Sequence, residues 1–366
     1  MSASALARPA TSLRTAAAHW IEAPAFDLVF FTLAPLVTLP IILAYSMGSR
    51  LALVAGFLLA YPHYLSTFTF YLWDENRPRH RERWVAFIAG PAVLAITFVL
   101  LVVFRVPLVI QVALFAWNTY HVARQSAGIL SIYRHRAGVS DAAERDVANA
   151  AILATNGWFC LWNIGTHREV FPVLSWVAPW FPQALWGALG AVAVFALLRL
   201  ARTLVARARA GRPPAAPEIG FIVASLVLFH PYLWIPDSAA ATFAMLIPHY
   251  LQYLGLVWLL HRRKFPRPEG SALQGGLQRL SASVPALVVT LAGIGFFFLA
   301  ANVLFTRFGV KPVYEAFYLL LAFTHFYLDG LFWAFKDPHV RRSLGPSLTR
   351  GGPAAEAARV AEALGS

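Results

Sequence analysis

Five of the eleven histidines, His63, His121, His230, His249 and His325, sit inside long apolar stretches rather than between them. An ionisable side chain in such a stretch is costly unless it is buried against a partner, and it marks a functional position by default. Four of the five share a depth. The first basic residue of the following polar segment comes 14 positions after His63 (Arg77), 13 after His121 (Arg134) and His249 (Arg262), and 11 after His325 (Lys336). At 1.5 Å per residue these intervals are roughly 16 to 21 Å, near the middle of a hydrocarbon core about 30 Å thick. Neutral imidazole is the commonest protein metal ligand and brings no charge into the bilayer. Four rings in one layer can therefore meet on one ion, with His230, about 12 residues into its own stretch, as a fifth candidate.

Other groups at this level could serve such a centre. Asp329 follows His325 by four residues and Gln125 follows His121 by four, which puts each pair on one helical face. Arg124 is the one basic residue deep in an apolar stretch; it would pair with Asp329 or meet an anionic substrate group. Asp329 is a ligand or proton acceptor in this reading. Tyr64 and Tyr250 directly follow His63 and His249, with Tyr120 and Tyr327 near the other two, and phenols there would orient oxygen, a ligand or a proton. Pro62, Pro248 and Pro231 adjoin three of the histidines, and proline frees a backbone carbonyl and opens space. Carboxylates are too scarce for a Glu-x-x-His di-iron site, and no HxxxH or HxxHH pair occurs. A nearly all-imidazole set favours iron(II), with copper, zinc or haem also open. The single cysteine, Cys160, excludes an intrachain disulfide and any cysteine-rich cluster.

The elements that must position these groups are membrane helices. Of 366 residues, 59% are hydrophobic and 13% charged, against about 25% charged for a soluble domain. Ten apolar segments read as helices: 26–47, 51–73, 84–104, 107–133, 147–165, 181–200, 218–236, 239–260, 284–305 and 312–335. The fold class is thus all-α, a polytopic membrane bundle of about ten spans over residues 1–335, with an N-terminal tail (1–24) and a C-terminal tail (336–366) in which 353–364 reads as a surface helix. With the N-terminus inside, 24 of the 30 basic residues, Arg8 and Arg14 among them, fall on the cytoplasmic side, and five (Arg50, Arg105, Arg168, Arg307 and Lys311) fall outside. That asymmetry orients the chain in a bacterial inner membrane with both ends cytoplasmic. It also accounts for the net charge of +13 without nucleic acid.

The string PHYL occurs at 62–65 and again at 248–251, each followed by a tryptophan (Trp73, Trp258), and two helices after each comes another histidine-bearing aromatic helix. Helices one to four would then repeat as seven to ten, in parallel about an axis along the membrane normal. PHYL, WNTYHVARQSAG (117–128) and THFYLDGLFWAFKDP (324–338) resemble motifs of bacterial polytopic membrane proteins without an assigned function, over most of the chain. In ligand inventory and topology alone, the four histidines are similar to the Brp/Blh-type carotenoid-cleaving oxygenases, a resemblance that implies iron and an isoprenoid-like substrate.

These readings converge on a membrane oxidoreductase acting on a lipophilic small molecule, with His63, His121, His249 and His325 as ligands. Three alternatives stay open: a transporter using the midplane His, Arg and Asp groups, a scaffold whose histidines only bond between helices, and a lipid-modifying transferase. The last is disfavoured because the spacing is HxxxD rather than HxxxxD. Phosphate-binding glycine loops, nucleophile elbows and HExxH motifs are absent.

Overall fold

The computed structural model describes residues 19–49, 51–104, 106–139, 141–166, 180–265 and 271–349. Arg8, Arg14, Arg50, Arg105, Arg168, the loop residues 266–270 and the surface helix read at 353–364 lie outside the described residues. Among the described residues the chain is helical without strands, and each of the ten apolar segments carries a helix. In chain order these are α1 (Thr38–Ser46), α2 (Leu51–Phe68), α3 (Gly90–Val103), α4 (Pro107–Arg136), α5 (Ala142–Thr166), α6 (Trp180–Arg209), α7 (Ala216–Leu226), α8 (Ser238–Lys264), α9 (Val284–Arg307) and α10 (Lys311–Phe332). Short helices also form at Asn76–Glu82, Ala272–Ser281 and Pro338–Thr349.

Five stretches are long and apolar enough to cross a membrane: Val85–Val103, Gln183–Arg209, Ala216–Trp234, Ser238–Lys264 and Val284–Arg307. A sixth arises if Pro24–Thr32 and Ala34–Ser46, bent by 57°, are one span. Their burial divides them. Only 11% of Val85–Val103 and of Val284–Arg307 is buried, so Val93, Ile96, Val289 and Phe297 face outward, whereas 89% of Ser238–Lys264 is buried. Apolar side chains facing outward along a whole helix fit a hydrocarbon solvent, not water. Helices α4, α5 and α10 are less apolar because they carry the Asn, His, Asp and Arg residues that the interior uses.

The described chain forms two compact units. One comprises Pro40–His121 and Ala239–Leu344; the other comprises Met1–Leu39, Val122–Ser238 and Gly345–Ser366. In the first, α2 packs on α9 and α10, and α10 packs on α3. The closest approach has a local cause. Pro62 lies within α2 and removes the hydrogen bond to the Leu58 carbonyl, and Gly295 of α9 sits so close that an added Cβ would collide with that oxygen. Glycine is what allows the two backbones to meet there. Helix α8 likewise runs on through Pro248.

In the other unit, α5 packs against α6 and α7. The segment read as one helix over 218–236 is broken: α7 ends at Leu226, residues 227–230 turn, and a short helix resumes at Pro231–Trp234. Proline favours the first turn of a new helix over the interior of an old one. Asn163 of α5 holds the break by donating to the carbonyls of Tyr232 (3.3 Å) and Ile235 (2.9 Å) and accepting from the Ser238 hydroxyl.

Candidate metal centre

His63 on α2, His121 near the middle of α4, His249 on α8 and His325 on α10 converge within the first unit. Each offers a ring nitrogen, and the four atoms lie within 4.8 Å of one another. His63, His249 and His325 are completely buried and His121 is 7% exposed. The tightest pair is His121 Nε2 and His325 Nε2 at 3.2 Å. Metal–nitrogen bonds of about 2.0–2.1 Å set tetrahedral ligand atoms about 3.4 Å apart. The 3.2 Å separation suits a hydrogen bond between the two rings and would also suit one edge of such a shell.

Two observations bear on whether this cluster could hold an ion. First, neither ring nitrogen of His63 has a hydrogen-bond partner, although the ring is enclosed by His325, Tyr250, Tyr253 and His249 at centroid distances of 4.3 to 4.8 Å. A buried polar group without a partner costs free energy, and an ion bound there would remove that cost. Second, the proton inventory around His325 points its other nitrogen inward. Its Nδ1 lies 2.6 Å from Thr67 Oγ1, and Thr67 donates to Asp329 Oδ1 at 2.9 Å. Tyr253 donates to the same carboxylate oxygen at 2.7 Å and accepts from Trp333 Nε1 at 3.2 Å. With the Thr67 hydroxyl proton committed to the carboxylate, Nδ1 is the donor, and Nε2 presents a lone pair to the cluster. Outer partners of this kind fix tautomer and ring orientation at metal sites.

Asp329 lies beside the four histidines: its Oδ2 stands 3.6 Å from His325 Nε2 and 3.9 Å from His121 Nε2, at the edge of the cluster. Tyr64 and Tyr250 are also there: their hydroxyls meet at 3.0 Å, Tyr64 reaches Tyr318 at 3.2 Å, and both rings pack on the histidines. They bond to each other rather than to a ring nitrogen, so they wall the cluster instead of extending the ligand set.

The remaining sequence candidates are placed elsewhere. His230 does not join the four: it lies in the other unit, in the turn before Pro231, and its Nε2 is 2.7 Å from Thr38 Oγ1 and 3.4 Å from the Pro35 carbonyl. Its depth matched because the count ran along a helix that proline in fact interrupts. Arg124 is exposed and so is not the buried ion-pair partner of Asp329, whose carboxylate is 7% exposed and held by Thr67 and Tyr253. Tyr120 is 54% exposed, and Tyr327 turns away to donate to the Ala86 carbonyl. Gln125 belongs to the other unit and is half-buried.

Sequence reasoning missed Thr67, Tyr253, Tyr318 and Trp333. The signal for two of them was present: Thr67 follows His63 by four and Tyr253 follows His249 by four, the same spacing as His325 to Asp329. A polar side chain one turn after each ligand is what an outer layer on helices requires. No protein-family model, curated protein or solved structure matches the chain, so the reading of its function rests on the site itself.

Proposed function

We propose that this protein is a membrane-embedded, metal-dependent oxidoreductase or oxygenase in which His63, His121, His249 and His325 hold one ion, iron(II) in the first instance, and act on a lipophilic substrate such as an isoprenoid or lipid. The observation that carries the proposal is His63, fully buried with both ring nitrogens unpartnered in a cluster of four convergent imidazoles. Neutral nitrogen ligands with one adjacent carboxylate suit iron(II) and leave coordination positions open, so the ion would supply redox chemistry with dioxygen. Asp329, linked through Thr67 to His325, is the group placed to take or give a proton. Tyr64, Tyr250 and Tyr318 shape the wall, and a site enclosed by apolar helices selects apolar substrates.

The membrane setting in this reading is an inner membrane crossed by about ten helices, with both ends cytoplasmic. The distribution of basic residues supports the orientation. The parallel repeat is supported by contacts between residues 186 positions apart, the offset of the two PHYL strings: the Tyr64 and Tyr250 hydroxyls meet at 3.0 Å, and the Thr67 and Tyr253 hydroxyl oxygens lie 2.7 Å apart. Residues beside a two-fold axis along the membrane normal touch their own counterparts at equal depth.

Elemental analysis and the absorption spectrum of the purified protein test the proposal. We expect one transition-metal ion per chain, lost in His249→Ala and in His63→Ala while both variants remain monodisperse in detergent. Wild-type protein that stays metal-free after incubation with iron(II), copper(II) or zinc(II) would remove the metal and with it the redox chemistry.

A further inference from the structure

The outward side of the first unit carries a groove that the metal centre does not use. It runs between α3, with the π-helical turn Val85–Ala89 before it, and α10. Arg83 stands at one end of this shallow, open groove; Val85, Ala89, Val93 and Thr97 line one side and Tyr327 the other. Its shape is built in. Tyr327 donates to the Ala86 carbonyl in the π turn, and Gly90 leaves room for the phenol, since a Cβ there would collide with its hydroxyl.

The groove is oriented with respect to the membrane. Trp84, 56% exposed, sits beside Arg83 where the apolar stretch begins, and tryptophan and arginine mark the headgroup level. From Arg83 to Thr97 is about 20 Å along the helix, slightly more than one leaflet of a hydrocarbon core about 30 Å thick. One end therefore lies among headgroups and the rest among acyl chains.

The charge at the headgroup end is unbalanced. Arg79 and Arg83 both bond Asp337 Oδ2 at 2.8 Å, so two guanidinium groups share one carboxylate. The Arg83 side chain remains 47% exposed, and Arg81 beside it is exposed as well. With Glu82 exposed between Arg81 and Arg83, three guanidinium groups meet two carboxylates, and one positive charge is left over at the mouth of an apolar groove, which is the complement of an anionic headgroup joined to an acyl chain.

We infer that this groove is a binding site for an anionic phospholipid, with its phosphate at Arg83 and one acyl chain lying along α3 to Thr97. The inference goes beyond the proposed redox chemistry and does not depend on it, because none of the four histidines lines the groove.

Native mass spectrometry of the full chain, released from detergent after titration with phosphatidylglycerol or phosphatidylcholine of identical acyl chains, tests it. We expect one phosphatidylglycerol retained per chain in preference to phosphatidylcholine. Arg83→Gln should cut that preference about fivefold, the effect of one basic residue at an anionic surface. Ala89→Trp, which fills the groove, should remove the retained lipid altogether. Equal retention of both lipids, or a phosphatidylglycerol preference unchanged in Arg83→Gln, would reduce the groove to ordinary lipid-facing surface. Should Ala89→Trp not fold, the Arg83→Gln comparison decides alone. Metal content, read on the same samples, reports separately on the histidine centre.

Discussion

The two units bury polar groups in opposite ways. In the unit containing α5 to α7, charges close on one another: Arg207 makes a bidentate pair with Glu218 (2.6 and 3.1 Å), Arg134 reaches Glu144 at 2.9 Å and Glu218 at 3.4 Å, and Arg207 also lies 3.6 Å from Glu144. Two cations meet two anions in a ring. Asp27, also buried, is satisfied by the backbone N–H groups of Ile21 and Glu22 and by Tyr133. In the histidine unit, four neutral rings crowd together, and His63 finds no donor or acceptor at all. Charges that neutralise each other build structure and need nothing further. Four buried imidazoles of which one has no hydrogen-bond partner could hold a metal ion.

Breaking the ring and breaking the cluster should therefore have different consequences. The largest change in stability is expected from Glu218→Ala, which leaves two buried guanidinium groups, Arg207 and Arg134, to share Glu144 alone and should cost about 3–5 kcal/mol. Thermal unfolding in detergent measures it, and metal content should be unaffected; metal loss in a folded Glu218→Ala protein would mean that the ring serves the centre. Next in size is Thr67→Val, which deprives His325 Nδ1 of its acceptor and should weaken metal binding about 10–100-fold, with affinity restored in Thr67→Ser. If valine and serine bind metal equally, the hydroxyl does not hold the ring. The smallest effect concerns His80, outside the apolar spans. Burial, then the nearby charges of Arg79 and His339, bring its pKa from the ordinary 6.5 down to about 4. The folded form thus binds a proton less readily than the unfolded form, so stability present above pH 6.5 drains away as the pH falls toward 4. The His80→Phe variant, whose ring suits the company of Tyr71, Phe87 and Phe332, should show a shallower decline of melting temperature over that interval. Parallel curves would assign the acid sensitivity to other groups.

Much of the site could be read along the chain because depth in a membrane is counted in residues. The intervals from His63, His121, His249 and His325 to the next basic residues put four rings in one layer, and they do converge. Counting fails where the helix is not continuous, as at His230 before Pro231. It is also silent about direction around the helix. Arg124 lies only three residues beyond His121, yet one side chain is exposed and the other buried, a choice made by the neighbours packed on α4. Thr67 and Tyr253 carried the right spacing, but a threonine or tyrosine in a helix is ordinary until a ring nitrogen or a carboxylate is seen against it.

Composition and the length of the apolar runs by themselves determined that the described chain is helical, with five or six stretches long and apolar enough to cross a membrane, because a backbone surrounded by hydrocarbon has to satisfy its own hydrogen bonds. Tertiary structure alone decided which helices are neighbours, that Gly295 lets α9 press on α2 at the carbonyl freed by Pro62, and that Asp329 turns to Thr67 and Tyr253 rather than to Arg124. Those outcomes depend on side-chain shapes meeting across the bundle, and no interval along one helix encodes what another helix will bring to it.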